Sequence, residues 1–160
     1  MGDPLSVAAG VAGLVALGGS VSKLFYNFFH SLIDAPSNVR ELSTSLFTLN
    51  VVLGQMQEVL LNPDFALQAQ DRDAISLNEC LTRCTALLDG IQQKVEKFEL
   101  SDKSANTVKR TWAAVKWWFT DEDVAQTLRL VADEKSTLHI ALGAFTAYVT
   151  FDNFIHDFSG

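Results

Sequence analysis

A chain of 160 residues, 48% apolar and 19% charged, has the composition of one folded domain and not of a disordered segment. Its net charge of -7 argues against a general nucleic-acid binder, which is usually basic. The acidic opening Met1-Gly2-Asp3 is unlike a secretory leader, which opens with positive charge.

The first helical segment is predicted from Pro4 to about Asp34-Ala35-Pro36. Asp3 is placed to cap it and Pro4 suits its first turn. Its apolar 3-4 step holds Val7, Val11, Leu14, Gly18, Val21, Phe25, Phe28 and Leu32. Gly18-Gly19 are expected to kink or divide it. Gly2 and Ser6 also fit the loose N-myristoylation pattern, a match common by chance.

No charge falls between Pro4 and Ser22. At ~1.5 Å per residue this run is about 28 Å long, close to a hydrocarbon core of ~30 Å. Leu5, Val7, Val11, Leu14, Val15, Leu17 and Val21 are its candidate membrane-inserting residues. At roughly 0.3–0.6 kcal/mol each, these seven favour insertion by only about 2 to 4 kcal/mol, which Ser, Gly and Pro erode. Insertion of one isolated helix is therefore marginal. Ala8, Ala12 and Ala16 repeat every four residues, as do Ala9 and Gly13. Such small-residue spacing lets helices approach closely in lipid, so association can favour insertion. The aromatic run from Leu24 to Ile33 suits a membrane interface. The residues leave two readings open: an inserting helix, or the central helix of a bundle, apolar all round.

The second segment, about Pro36 to Leu61, carries Val39, Leu42, Leu46, Leu49, Leu53, Met56 and Leu60, and Asn62-Pro63 ends it. The third, about Asp71 to Phe98, carries Leu77, Leu81, Cys84, Leu88, Ile91, Val95 and Phe98. Cys80 and Cys84 lie one turn apart there and read as buried apolar filler in a reduced, cytosolic protein. His30, His139 and His156 lack ligand spacing, so no metal is expected.

The fourth segment, about Ser104 to Phe119, carries Val108, Trp112, Val115 and Phe119. The fifth starts after Thr120, a cap followed by Asp121-Glu122-Asp123, and its stripe runs from Val124 to Val149. Lys135 interrupts that stripe. It reads either as a lysine snorkelling at the edge or as a buried latch paired with a carboxylate. Half of the basic residues cluster between Lys94 and Lys116, running into Trp117-Trp118-Phe119. Lys103, Lys109, Arg110, Lys116, Trp117 and Trp118 are candidates for an anionic lipid surface, or form an ordinary solvated face.

No stretch alternates with period two and no fixed repeat appears. The expected fold is all-α, an up-and-down bundle of about five helices with a hydrophobic N-terminal helix. No nucleophile–base pair, carboxylate pair or metal cluster has catalytic spacing, so neither an enzyme nor a cofactor is expected. The glycines at 10, 13, 18 and 19 follow no strand and precede no Gly-Lys-Ser/Thr, so they form no phosphate loop.

The opening "DPLSVAAGVAGLVALGGSVSKLFYNFF", the following "DAPSNVRELSTSLFTLNVVLGQMQEVLL", "VKRTWAAVKWWF" and the long helix from Asp121 to Val149 together resemble the HeLo-like N-terminal domains of fungal NOD-like receptor and STAND-type proteins. The resemblance covers about residues 1–150, with 151–160 as an extension or the start of a linker. It implies a helical bundle that rests in the cytoplasm and, once clustered, attacks the plasma membrane in programmed cell death during fungal incompatibility or innate immunity. It further implies self-oligomerisation, driven by a C-terminal amyloid motif or nucleotide-binding domain in a longer protein with an upstream receptor. The inserting element would be Leu5 to about Gly19, or extend to Leu32, and its partners would be lipids, with no nucleic acid. The alternative is a non-lytic protein–protein interaction or oligomerisation module at the head of such a protein.

Overall fold

The computed structural model describes residues 4–62, 71–101, 111–116 and 119–157. They form helices α1 (Pro4–His30), α2 (Ser37–Leu60), α3 (Asp71–Ser101), α4 (Trp112–Val115) and α5 (Asp121–Asp157), with no strand among the described residues. The all-α bundle expected from the spacing of apolar residues is the fold. α1 and α5 stand at opposite corners, and each packs against both α2 and α3.

The apolar stripes become one continuous core. Val11, Val39, Leu42, Leu53, Met56, Cys84, Leu88, Val124, Val131 and Leu138 are wholly enclosed. One end of the bundle is aromatic. Phe25 and Phe29 pack with tilted rings at 4.2 Å, Phe28 meets Phe98 edge-on at 5.0 Å, and Phe119 packs on Phe25 and Phe29. Trp112 closes this end through its contact with Phe29. Its backbone N–H donates to Asp34 Oδ1 at 2.7 Å, tying α4 to the turn after α1.

Three helix boundaries differ from the sequence expectation. α1 runs unbroken through Gly18-Gly19. The glycine at 18 serves packing instead: a Cβ there would lie 2.5 Å from Asn50 Oδ1, so its absence makes room for the Asn50 side chain of α2. α4 is a single turn, and residues 104–110 of the expected fourth helix lie outside the described residues. α5 continues past Val149 to Asp157. Its start is as expected. Thr120 Oγ1 accepts from the Asp123 N–H, while Asp123 Oδ2 accepts from the Thr120 N–H, both at 3.0 Å. This reciprocal box satisfies two amide donors that the first turn otherwise leaves open.

Candidate functional site

α1 is the one described helix long and apolar enough to cross a membrane, over Ser6–His30, with a mean hydropathy of 1.6. It is not the central helix that an all-round apolar sequence suggests. Only 33% of its apolar window is buried, because it occupies a corner of the bundle. Its solvent face is Ser6, Ala9, Gly10, Gly13, Ala16 and Ser20. None of these carries a charge, and the first charge along the helix is Lys23.

The candidate inserting residues divide by depth. Val7, Val11, Leu14 and Val21 are buried against the core, while Val15 and Leu17 are half-buried. The side chain of Leu5 lies outside the described residues. The small residues divide too: Ala9, Gly13 and Ala16 are exposed, and Ala8 and Ala12 are half-buried. The aromatics that suit an interface are mostly core. Phe25, Phe28 and Phe29 are buried, leaving Tyr26 and Ile33 exposed.

Burial is unequal along α1. Up to Gly19 its fully buried large side chains are Val7, Val11 and Leu14; beyond it they are Val21, Phe25, Phe28 and Phe29. At roughly 1.5–3 kcal/mol per buried side chain, the first part is held by about 5–9 kcal/mol and the second by about 6–12 kcal/mol. Ring–ring contacts add to the second part alone.

A groove of about 820 Å³ opens between α1 and α2. Lys23, His30 and Arg40 stand in its wall, and no carboxylate does among the described residues. Ser22 Oγ and Asn50 Oδ1, on two of the lining residues, are buried without a hydrogen-bond partner. Phe47 and Tyr26, also in its wall, are largely exposed.

The remaining candidates are less tightly grouped. Lys103, Lys109, Arg110, Trp117 and Trp118 lie outside the described residues. Lys116 is exposed and pairs with Asp121 at 3.1 Å. Lys94, from the same basic region, sits 5.0 Å over the Phe119 ring and bonds Asp123 at 3.0 Å. Those contacts engage it within the bundle. The Thr120 amide, and then the Lys94 ammonium, hold the Asp123 carboxyl below its usual range.

Lys135 takes the edge position and not that of a buried latch. It is half-buried and donates to Ser45 Oγ at 3.2 Å. The buried carboxylate is the residue before it. Glu134 accepts from Arg83 Nε at 2.7 Å and from Cys80 Sγ at 3.1 Å. From Val131 to Leu138 the stripe can step through either 134 or 135, and the spacing does not distinguish them. The sequence signal for Glu134 was a second charge on that stripe; its pairing with Arg83, 51 residues away, was not readable.

A family model described as the pigment biosynthesis cluster protein PigL N-terminal region matches residues 2–157. The chain belongs to this family. The PigL N-terminal match covers every helix, including the part of α5 beyond residue 150. No curated protein and no solved structure matches the chain.

Proposed function

We propose that this PigL N-terminal domain is a latent membrane-permeabilising bundle of the HeLo-like kind, acting by assembly and not by catalysis. It rests in the cytoplasm with α1 packed. Clustering through a partner region of a longer protein frees the first part of α1, and several copies insert together into the plasma membrane as a cell-death response. The observation that carries this reading is the uncharged solvent face of α1 from Ser6 to Ser20. An ordinary corner helix sets charged residues toward water. This one presents both faces to lipid without burying a charge, and its exposed Ala9, Gly13 and Ala16 offer close contact to a second copy.

A test of insertion needs a substitution on the solvent face of α1. Leu14→Asp would place a charge in the core, since Leu14 is buried, and would unfold the bundle as readily as it blocks insertion. Ala16 is exposed, so Ala16→Asp costs folding little beyond the helix-propensity difference, about 0.7 kcal/mol. In a bilayer the same aspartate costs about 2.5–3.5 kcal/mol per helix. Dye release from anionic liposomes by the artificially clustered domain is expected to fall sharply with Ala16→Asp and to vanish on deletion of residues 1–20. Equal leakage from the intact and deleted proteins would reject the mechanism.

A second reading rests on the groove between α1 and α2. In it the domain is a non-lytic interaction module that receives a partner helix with an apolar face and an acidic residue, matched to Tyr26, Phe47, Lys23 and Arg40. A clustered domain that fails to float with liposomes, yet binds such a helix, would favour this reading.

A further inference from the structure

Cys80, Cys84 and Glu134 are buried side by side where α3 meets α5. Their ligand atoms, two Sγ and a carboxylate oxygen, all lie within 4.8 Å of one another. Buried cysteines are commonly plain filler, but an acidic side chain in the same cluster has no packing reason to be there. Burial of Glu134 is sustained by Arg83, whose Nε reaches Oε1 at 2.7 Å and whose Nη2 reaches Oε2 at 3.3 Å. The Arg83 side chain is half exposed, so the cluster lies directly beneath the surface. Metal-free, Cys80 remains a thiol: its hydrogen bond with Cys84, then burial, then Glu134 raise its pKa.

We infer that Cys80, Cys84 and Glu134 form a binding site for a thiophilic divalent cation of the Zn²⁺ class, clipping α3 to α5. Bonds of ~2.3 Å to sulfur and ~2.0–2.2 Å to oxygen put the ligand atoms of a tetrahedral centre about 3.4–3.8 Å apart. Reaching that geometry takes side-chain adjustments of about an ångström. The one-turn spacing of the cysteines places both on the face of α3 that meets α5. The metal takes Oε2, displacing the hydrogen bonds that Cys80 and Arg83 Nη2 give it, while Arg83 Nε keeps Oε1 and orients the carboxylate from outside. Water fills the fourth position from the Arg83 side.

Charge balances in both states. Without metal, two neutral thiols accompany one carboxylate and one guanidinium. On binding, both S–H bonds break, two protons leave to solvent, and two metal–sulfur bonds form. Three negative ligands then face a divalent cation and Arg83, and the cluster is neutral again. Binding is accordingly weaker at lower pH, where the released protons compete.

The test is titration of the reduced 160-residue protein with Cd²⁺, read by the ultraviolet thiolate-to-metal charge-transfer band, followed by competition with Zn²⁺. The inference expects saturation at one cadmium per chain, reversal by Zn²⁺, and a rise in melting temperature with Zn²⁺. Cys80→Ser with Cys84→Ser, folded by circular dichroism, is expected to lose the band. Glu134→Gln keeps both thiols and is expected to retain a band with affinity at least about tenfold weaker. No saturable band in the native chain would overturn the site. An unchanged affinity in Glu134→Gln would equally overturn it, because the carboxylate would then be no ligand. Neither result bears on liposome leakage, so this site and the membrane reading fail separately.

Discussion

The two parts of α1 belong to one unbroken helix, yet they are held in different ways. From Pro4 to Gly19 the helix rests on aliphatic side chains alone, Val7, Val11 and Leu14 buried and Val15 and Leu17 half-buried, and turns a face of Ala, Gly and Ser to solvent. From Ser20 to His30 it is pinned by interlocking rings, which also engage Phe98, Trp112 and Phe119. Under the proposed mechanism the aromatic part keeps the bundle together while the small-residue part, held by aliphatic packing alone, is the one released. On the proposed mechanism the first part is the inserting element, because an extension to Leu32 would require dismantling the aromatic end.

A set of substitutions and one pH titration can break that comparison or sharpen it. The largest effect is expected from Phe25→Ala, which empties the centre of the aromatic end and should cost about 3–5 kcal/mol in urea unfolding. Leu14→Ala should cost less, about 2–3 kcal/mol, because it removes fewer atoms and borders the solvent face, where truncation leaves no fully enclosed cavity. Equal losses at the two sites would erase the distinction between the parts.

Glycine replacements probe the weaker part directly. A Cβ at Gly13 meets nothing within 4 Å, so Gly13→Ala should raise stability by about 1 kcal/mol through helix propensity alone. Gly18→Ala should gain less, because its methyl group must displace the Asn50 amide. Adding Asn50→Ala should restore the gain, measurable as a double-mutant cycle by thermal melting.

The smallest effect is a pH dependence at the anchored end. Asp123 has a lowered pKa in the folded protein, so its contribution is present above the unfolded value and lost as pH falls through the folded one. Acid titration of stability should therefore show a limb below the usual carboxylate range that Asp123→Asn flattens. An unchanged limb in that variant would remove the Thr120 box and Lys94 as its source.

Much of this was legible in the sequence, for physical reasons. The 3-4 apolar steps mark the buried faces because a helix must aim its stripe inward, and Val39 through Met56 all land in the core. The Thr120 cap was readable because its hydrogen bonds are local. Which corner α1 would occupy was not readable. A run of Ala, Gly and Val is equally consistent with a central and a peripheral helix, and only the packing of α2 and α3 decides. Gly18 looked like a breaker because its partner, Asn50, is far away in sequence. The Cys80–Arg83–Glu134 cluster was missed for the same reason, since its parts lie 51 and 54 residues apart.

The most direct test attaches an environment-sensitive fluorophore at Gly13→Cys. That position is exposed with free space around it, and the native Cys80 and Cys84 are buried away from the reagent. The protein is then clustered on anionic liposomes carrying a quencher within the acyl chains. The account predicts that the label is open to water-borne iodide before clustering and reached only by the acyl-chain quencher afterwards. A label that stays open to iodide on clustered, liposome-bound protein would contradict it.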